Sequence, residues 1–160
     1  AGSANETVAR IETDRRRAHG LAPGVACGLA FAGANRPPDA IGRNLGLLTA
    51  EELAGLDLSQ CSLCVLSACE SNVGIRRMGL GMRSLQAAVH AAGARCAITT
   101  LWAVDDAATR TLMERFYEEL WTNGSSASEA LWRAKKELRE RGAPTAHWAG
   151  FVLSGDPDAR

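Results

Sequence analysis

From residue 61 to residue 153 the chain reads strand, helix, strand, helix, helix, strand, and this alternation narrows the fold more than any other feature. Residues 61–68 and 95–104 are nearly continuous apolar runs, as strands buried on both faces are. Between and after them the apolar period lengthens to that of helices. Met82, Leu85, Val89 and Ala92 share one face of a helix over 82–92, closed by Gly93. Leu112, Met113, Phe116, Tyr117 and Leu120 do the same over 106–122, which Asn123-Gly124 ends. Ser126 or Ser128 opens a further helix over 128–141, with Ala130, Leu131, Ala134 and Leu138 inward and Lys135, Lys136 and Arg139 toward water. Residues 148–153 form a last strand, stopped by Gly155-Asp156-Pro157. The fold class predicted is α/β, a mostly parallel sheet with flanking helices.

The region before residue 61 is less regular. Residues 27–34 read as a short strand, and 35–45 as a loop interrupted by Pro37, Pro38 and Gly42. Thr49 is placed to N-cap a short helix with Glu51 and Glu52 near its positive end, and Asp57 marks the turn that follows. Residues 1–24 are polar, Arg-rich and without an apolar period, and residue 1 is not methionine, so the chain reads as a piece of something longer. The domain expected spans 25–157, with 158–160 as a tail.

A chain of 160 residues fits one domain, and 46% hydrophobic against 22% charged residues is enough for a sizeable core. Eighteen basic and eighteen acidic residues cancel, which removes the simplest argument for nucleic acid or an anionic membrane as partner. No apolar run approaches the roughly 20 residues of a membrane span, and no leader pattern opens the sequence, so a cytoplasmic location is expected. Five cysteines, an odd number, suit a reducing compartment. Cys61 and Cys64 have the spacing of redox and zinc pairs, yet no second Cys/His pair follows, and a continuous strand would turn them to opposite faces.

The chemistry concentrates where the first apolar strand ends, on Leu66-Ser67-Ala68-Cys69-Glu70. Ligands collect at the carboxyl ends of strands in such sheets, so Cys69 is delivered to a crevice. A thiol attacks only as thiolate, and acyl transfer also needs donors for the developing oxyanion. The Cys69 backbone N–H is one candidate donor, and the Ser71-Asn72-Val73-Gly74 loop can turn tightly beside it. The rival reading of an isolated cysteine at a strand end is a buried structural thiol. Arg76 and Arg77 either favour the thiolate or are simply solvated. A thiol redox sensor centred on Cys69 or on the Cys61/Cys64 pair is a further alternative.

Seven segments in order narrow the choice. They are Gly28-Leu29-Ala30-Phe31-Ala32-Gly33-Ala34-Asn35, Leu47-Leu48-Thr49-Ala50-Glu51-Glu52, Gly55-Leu56-Asp57-Leu58, Leu66-Ser67-Ala68-Cys69-Glu70, Ala92-Gly93-Ala94-Arg95, Leu101-Trp102-Ala103-Val104-Asp105-Asp106 and Trp148-Ala149-Gly150-Phe151-Val152-Leu153. Together they resemble CHAT domains, bacterial caspase-like peptidase domains that often follow tetratricopeptide repeats and are related to separases. The resemblance covers about residues 24–157. It implies the C-terminal part of a caspase-haemoglobinase fold and a Cys–His dyad cysteine endopeptidase, with Cys69 as nucleophile and no metal or organic cofactor.

The same resemblance places the dyad histidine at the end of an apolar strand upstream of residue 28. Here His19-Gly20 follows Thr13-Asp14-Arg15-Arg16-Arg17-Ala18, too charged for a core strand, so the histidine is expected from an upstream segment of the same precursor, with His19 as the candidate inside this chain. His90 and His147 are expected away from the active end of the sheet. Asp106, with Asp105 beside it, matches the acid of the substrate pocket in separases, which implies cleavage of a protein or peptide after arginine or lysine. Helix N-capping is the alternative for both acids. Trp102 and Glu70 are expected to line the same pocket, with a solvated acid as the alternative for Glu70. Gly79-Leu80-Gly81 stands where the family usually has Gly-Glu-Gly. A non-catalytic interaction module is the alternative to a peptidase.

Overall fold

A computed structural model describes residues 27–37, 39–40, 46–66 and 85–159. Two small sheets organise them. Strands β1 (Gly28–Ala30) and β2 (Leu47–Thr49) pair antiparallel, Gly28 opposite Thr49. The remaining strands, β3 (Leu63–Leu66), β4 (Cys96–Thr100) and β5 (Phe151–Gly155), lie in the order β3-β4-β5. Strand β1 is shorter than the apolar run 27–34 predicts. At Gly33 the backbone takes a φ of 100°, and the Ala34 and Arg36 amides bond back to Phe31 and Gly33, so the chain turns instead of extending.

The sheet of three strands is mixed, which corrects the expectation of a mostly parallel one. Strand β3 runs parallel to β4, Leu63 beside Cys96 and Leu66 beside Thr99, whereas β5 runs antiparallel to β4, Thr100 opposite Phe151 and Cys96 opposite Gly155. The connections explain the difference. Among the described residues one helix, α2 (Leu85–Ala91), lies between β3 and β4, and β4 starts at the end where β3 began. Two helices, α3 (Asp106–Tyr117) and α4 (Ala127–Glu140), lie between β4 and β5, so the chain goes down and returns. It re-enters the sheet at the end where β4 finished.

Residue alternation sends each strand to two cores. Leu63, Val65, Cys96, Ile98 and Phe151 face α3 and α4, meeting Leu112, Phe116, Leu131, Ala134 and Leu138. Cys64, Leu66 and Ala97 face the other way, toward Leu85, Ala88 and Val89 of α2 and Leu53 of α1 (Ala50–Ala54). All five residues of β4 are buried, as a central strand's should be, while all four of β3 are only half-buried.

Local signals set the helix ends. Thr49 and Glu52 form a reciprocal capping box at α1: the Glu52 amide bonds to the Thr49 hydroxyl, and the Thr49 amide donates to the Glu52 carboxylate at 2.8 Å. Ser126 caps α4 through the Glu129 amide. Gly93 closes the α2 turn with a φ of 104°, and a β-carbon there would stand 3.1 Å from the Ser59 backbone nitrogen. Residues 118–122, expected to continue α3, instead widen into a π-turn (Glu118–Thr122) that buries Glu119 and Leu120 and turns Trp121 outward.

Candidate active site

Parallel pairing of β3 and β4 brings Leu66 and Thr99 together, so both strands present their carboxyl ends on one side. Cys69 and Glu70 follow Leu66 closely in sequence, but they and His19 lie outside the described residues. Of the residues expected at the site, the structure describes those in the segment from Leu101 to Asp106.

That segment is held at four points. The Leu101 amide donates to Gly150 O at 2.9 Å, extending the ladder between β4 and β5 by one rung. The Trp102 indole donates from Nε1 to Ala146 O at 2.9 Å and lies flat over Gly150. A β-carbon at Gly150 would stand 2.7 Å from Trp102 Cε2, so only glycine allows this approach. Val104 is buried in the core under α3 and α4. Asp105 takes the N-cap, its Oδ1 accepting from the Ala108 amide at 3.0 Å.

The two neighbouring acids therefore differ in their surroundings. Asp105 is committed to the cap. Asp106 is the first residue of α3, exposed, and makes no side-chain hydrogen bond or ion pair among the described residues. The positive end of the helix favours its charge. Trp102, 38% exposed, and Leu101, 45% exposed, supply an apolar edge beside it. A carboxylate next to apolar and aromatic surface can pair with a guanidinium or ammonium whose stem packs on that surface.

Other expectations are relocated. His147, expected away from the active end, sits in a short 3₁₀ turn (Thr145–His147) just before β5. Because β5 is antiparallel, this turn lies at the carboxyl end of β4, next to the Trp102 indole's partner Ala146. The two helices between β4 and β5 were the available signal: an even number of crossings returns the chain to the same end. His90 lies at the opposite end, its Nδ1 3.0 Å from Ala94 O and its Nε2 2.8 Å from Ser154 Oγ, where it ties α2 to β5.

Cys61 and Cys64 do not face apart. Both pack on the α1/α2 core, together with Cys27, because β3 starts only at Leu63 and Cys61 belongs to the preceding turn, its amide bonded to Leu58 O. Burial pushes the Cys64 thiol up, with Cys61 adding to the effect. Burial, with Asp156 nearby, pushes the Cys96 thiol to about 11. Cys27, Cys61, Cys64 and Cys96 are free thiols. Among the described residues no cluster of three or more His, Cys, Asp or Glu could hold a metal, and no helix is long and apolar enough to cross a membrane.

Comparison with known proteins gives a consistent picture. The family model of the CHAT domain matches residues 18–156. Tetratricopeptide repeat protein 28 of Mus musculus is 40% identical over 111 residues, covering 68% of this chain and 4% of that protein. Its counterpart in Homo sapiens is 37% identical over 111 residues, with the same coverage. The chain thus spans about 4% of the length of these curated relatives, whose name places tetratricopeptide repeats in the same protein. With a family match over most of its length, the chain belongs to the CHAT domain family.

Proposed function

We propose that this domain is the nucleophile-bearing part of a caspase-like cysteine endopeptidase that cleaves after arginine or lysine. The observation that carries the reading is the separation of the two acids: Asp105 is used as a helix cap, and Asp106 is exposed and without a side-chain partner among the described residues, at the carboxyl end of β4. The cap uses the Asp105 side chain, whereas Asp106, in the first turn of α3, keeps its carboxylate open to solvent. Cys69 stands three positions beyond the end of the neighbouring strand β3.

In this reading the Cys69 thiolate attacks the peptide carbonyl carbon, and the Cys69 backbone N–H donates to the oxyanion. A histidine holds the thiol proton and passes it to the leaving amine. Water then attacks the thioester and regenerates the thiol. Asp106, Glu70 and Trp102 receive the basic side chain of the substrate. The histidine has two possible sources. The family match opens at residue 18 and so takes in His19-Gly20, while the charged stretch before His19 favours an upstream strand of the same precursor. In the second case the chain alone has little or no activity, because an unassisted thiol is only a few per cent thiolate at neutral pH.

An arginyl chloromethyl ketone carrying a fluorophore tests this, applied to the 160-residue chain and to a longer protein that includes the preceding segment. Labelling of Cys69 is expected, lost in Cys69→Ala and reduced about tenfold or more in Asp106→Asn. Loss on His19→Ala assigns the base to this chain, and labelling only in the longer protein assigns it upstream. Failure of both proteins to label at Cys69 refutes the peptidase. It would favour the alternative of an interaction module, a reading supported by relatives named for tetratricopeptide repeats, since repeat arrays present extended binding surfaces.

A further inference from the structure

Helix α4 carries two kinds of basic residue. On one flank Arg133 and Arg141 are paired with carboxylates: Arg133 bonds to Glu119 at 3.0 Å and to Glu129, and Arg141 to Glu137. Toward β5 the pairing is weaker: Lys135 and Arg139 meet no carboxylate among the described residues, and Lys136 has one long, exposed ion pair with Glu140. Lys135 donates to Phe151 O at 2.8 Å and lies near Ala149 O, both backbone carbonyls. Lys136 is 3.8 Å from Glu140 and sits over the Trp132 ring, 5.2 Å from its centroid. Arg139 is exposed and makes no side-chain hydrogen bond or ion pair among the described residues. The chain as a whole is neutral, so this concentration of cations is not a by-product of a basic composition.

These residues rim a groove of about 510 Å³ between α4 and β5, and no Asp or Glu lines it. Its floor is apolar, made of Leu131, Phe151 and Leu153, and Trp132, 59% exposed, and Trp148 form its aromatic sides. Strand β5 is the outer strand of its sheet among the described residues. The Leu101 amide bonds to Gly150 O and the Asp156 amide to Arg95 O, so alternation directs the main-chain groups of Phe151 and Leu153 away from β4. Lys135 occupies Phe151 O, and the Leu153 N–H and C=O face the open edge.

We propose that this groove docks an extended, acidic, amphipathic segment of a partner protein, which adds as a strand along β5 and sets its carboxylates against Lys136 and Arg139. The apolar residues of such a segment would alternate with its acids, as a strand requires, and fill the floor above Leu131 and Leu153. A single-stranded nucleic acid would also meet cations and tryptophans, but the apolar floor and the strand edge offer more to a peptide. The inference is independent of the catalytic reading.

Fluorescence anisotropy with the 160-residue Cys69→Ala chain tests it, since binding is then read whatever the chemistry at Cys69. The probe is a fluorescein-labelled peptide of about eight residues in which glutamate alternates with isoleucine or valine. Saturable binding is expected, falling tenfold or more when lysine replaces glutamate in the peptide. Lys136→Glu with Arg139→Glu should reverse this preference, and Arg139→Gln alone should weaken the acidic peptide several-fold. No saturable binding, equal binding of both peptides or indifference to the substitutions would overturn the proposal. So would tighter binding of an oligothymidylate through the same residues, which would make the groove a nucleic-acid surface.

Discussion

At the scale of single residues, the packing of Trp102 on Gly150 decides how the candidate pocket is held. The indole is fixed at one end by its bond to Ala146 O, so it cannot retreat from an added methyl group without giving up that bond. Gly150→Ala is therefore expected to destabilise the chain by about 1–3 kcal/mol, the usual cost of overpacking, and to shift tryptophan emission as Trp102 moves. A urea melt followed by fluorescence measures both, and a wild-type melt with unchanged emission would show that the ring is free to swing. The sequence made Trp102, Asp105 and Asp106 legible as a group. It left their roles open, because capping depends on where the backbone turns helical, and either of two adjacent aspartates can stand at that turn. Cys61 was misplaced for a related reason: two positions decide whether it belongs to β3 or to the turn before it, and apolar character does not mark that boundary.

Among the elements, helices and central strands were the most legible, because their periodicity reports burial directly. Strand β4 reads as apolar on both faces and is buried throughout. The direction of β5 was legible as well, in the pair of helices before it, but the general expectation of a parallel sheet concealed it. The π-turn after α3 was not legible, since Glu119 reads as a solvated acid. It is 1% exposed, bonded to Arg133 at 3.0 Å, in contact with Arg115, and it accepts from Ser125. Burial alone would push the Glu119 carboxyl up, but the bond from Asn123 and the charges of Arg115 and Arg133 outweigh it and hold it below the ordinary value. A carboxyl lowered in the folded state contributes stability that is present above the unfolded value of about 4.5 and is lost as pH falls through the folded one. Glu119→Gln should therefore lower the melting temperature at pH 7, and the gap from wild type should close as pH falls below 4.5 and through the lowered folded-state value. A gap that stays constant with pH would assign the cost to packing instead of charge.

For the whole molecule, the strand at the far side from the docking groove has a consequence for association. Strand β3 forms the other edge of its sheet among the described residues, and its sequence, Leu63-Cys64-Val65-Leu66, is apolar on both faces. It carries no lysine, proline or inward charge, the devices by which natural edge strands avoid pairing with other chains. Beside it a groove of about 410 Å³ runs between Ser62, Val65, Tyr117 and Trp121, and Trp121, 75% exposed, stacks on Tyr117 with its outer face bare. An apolar edge next to an aromatic platform satisfies its main-chain groups and covers its side chains when it meets another strand. The chain on its own should therefore self-associate as its concentration rises, and static light scattering should show a mass that grows across the micromolar range. Ser62→Lys, which adds a charge at the edge at the cost of the bond that the Ser62 hydroxyl accepts from Arg95 at 3.1 Å, should shift that growth to higher concentration, while Arg139→Gln at the opposite side of the sheet should not. A single monomeric mass at high concentration would mean that the β3 edge is already covered within one chain.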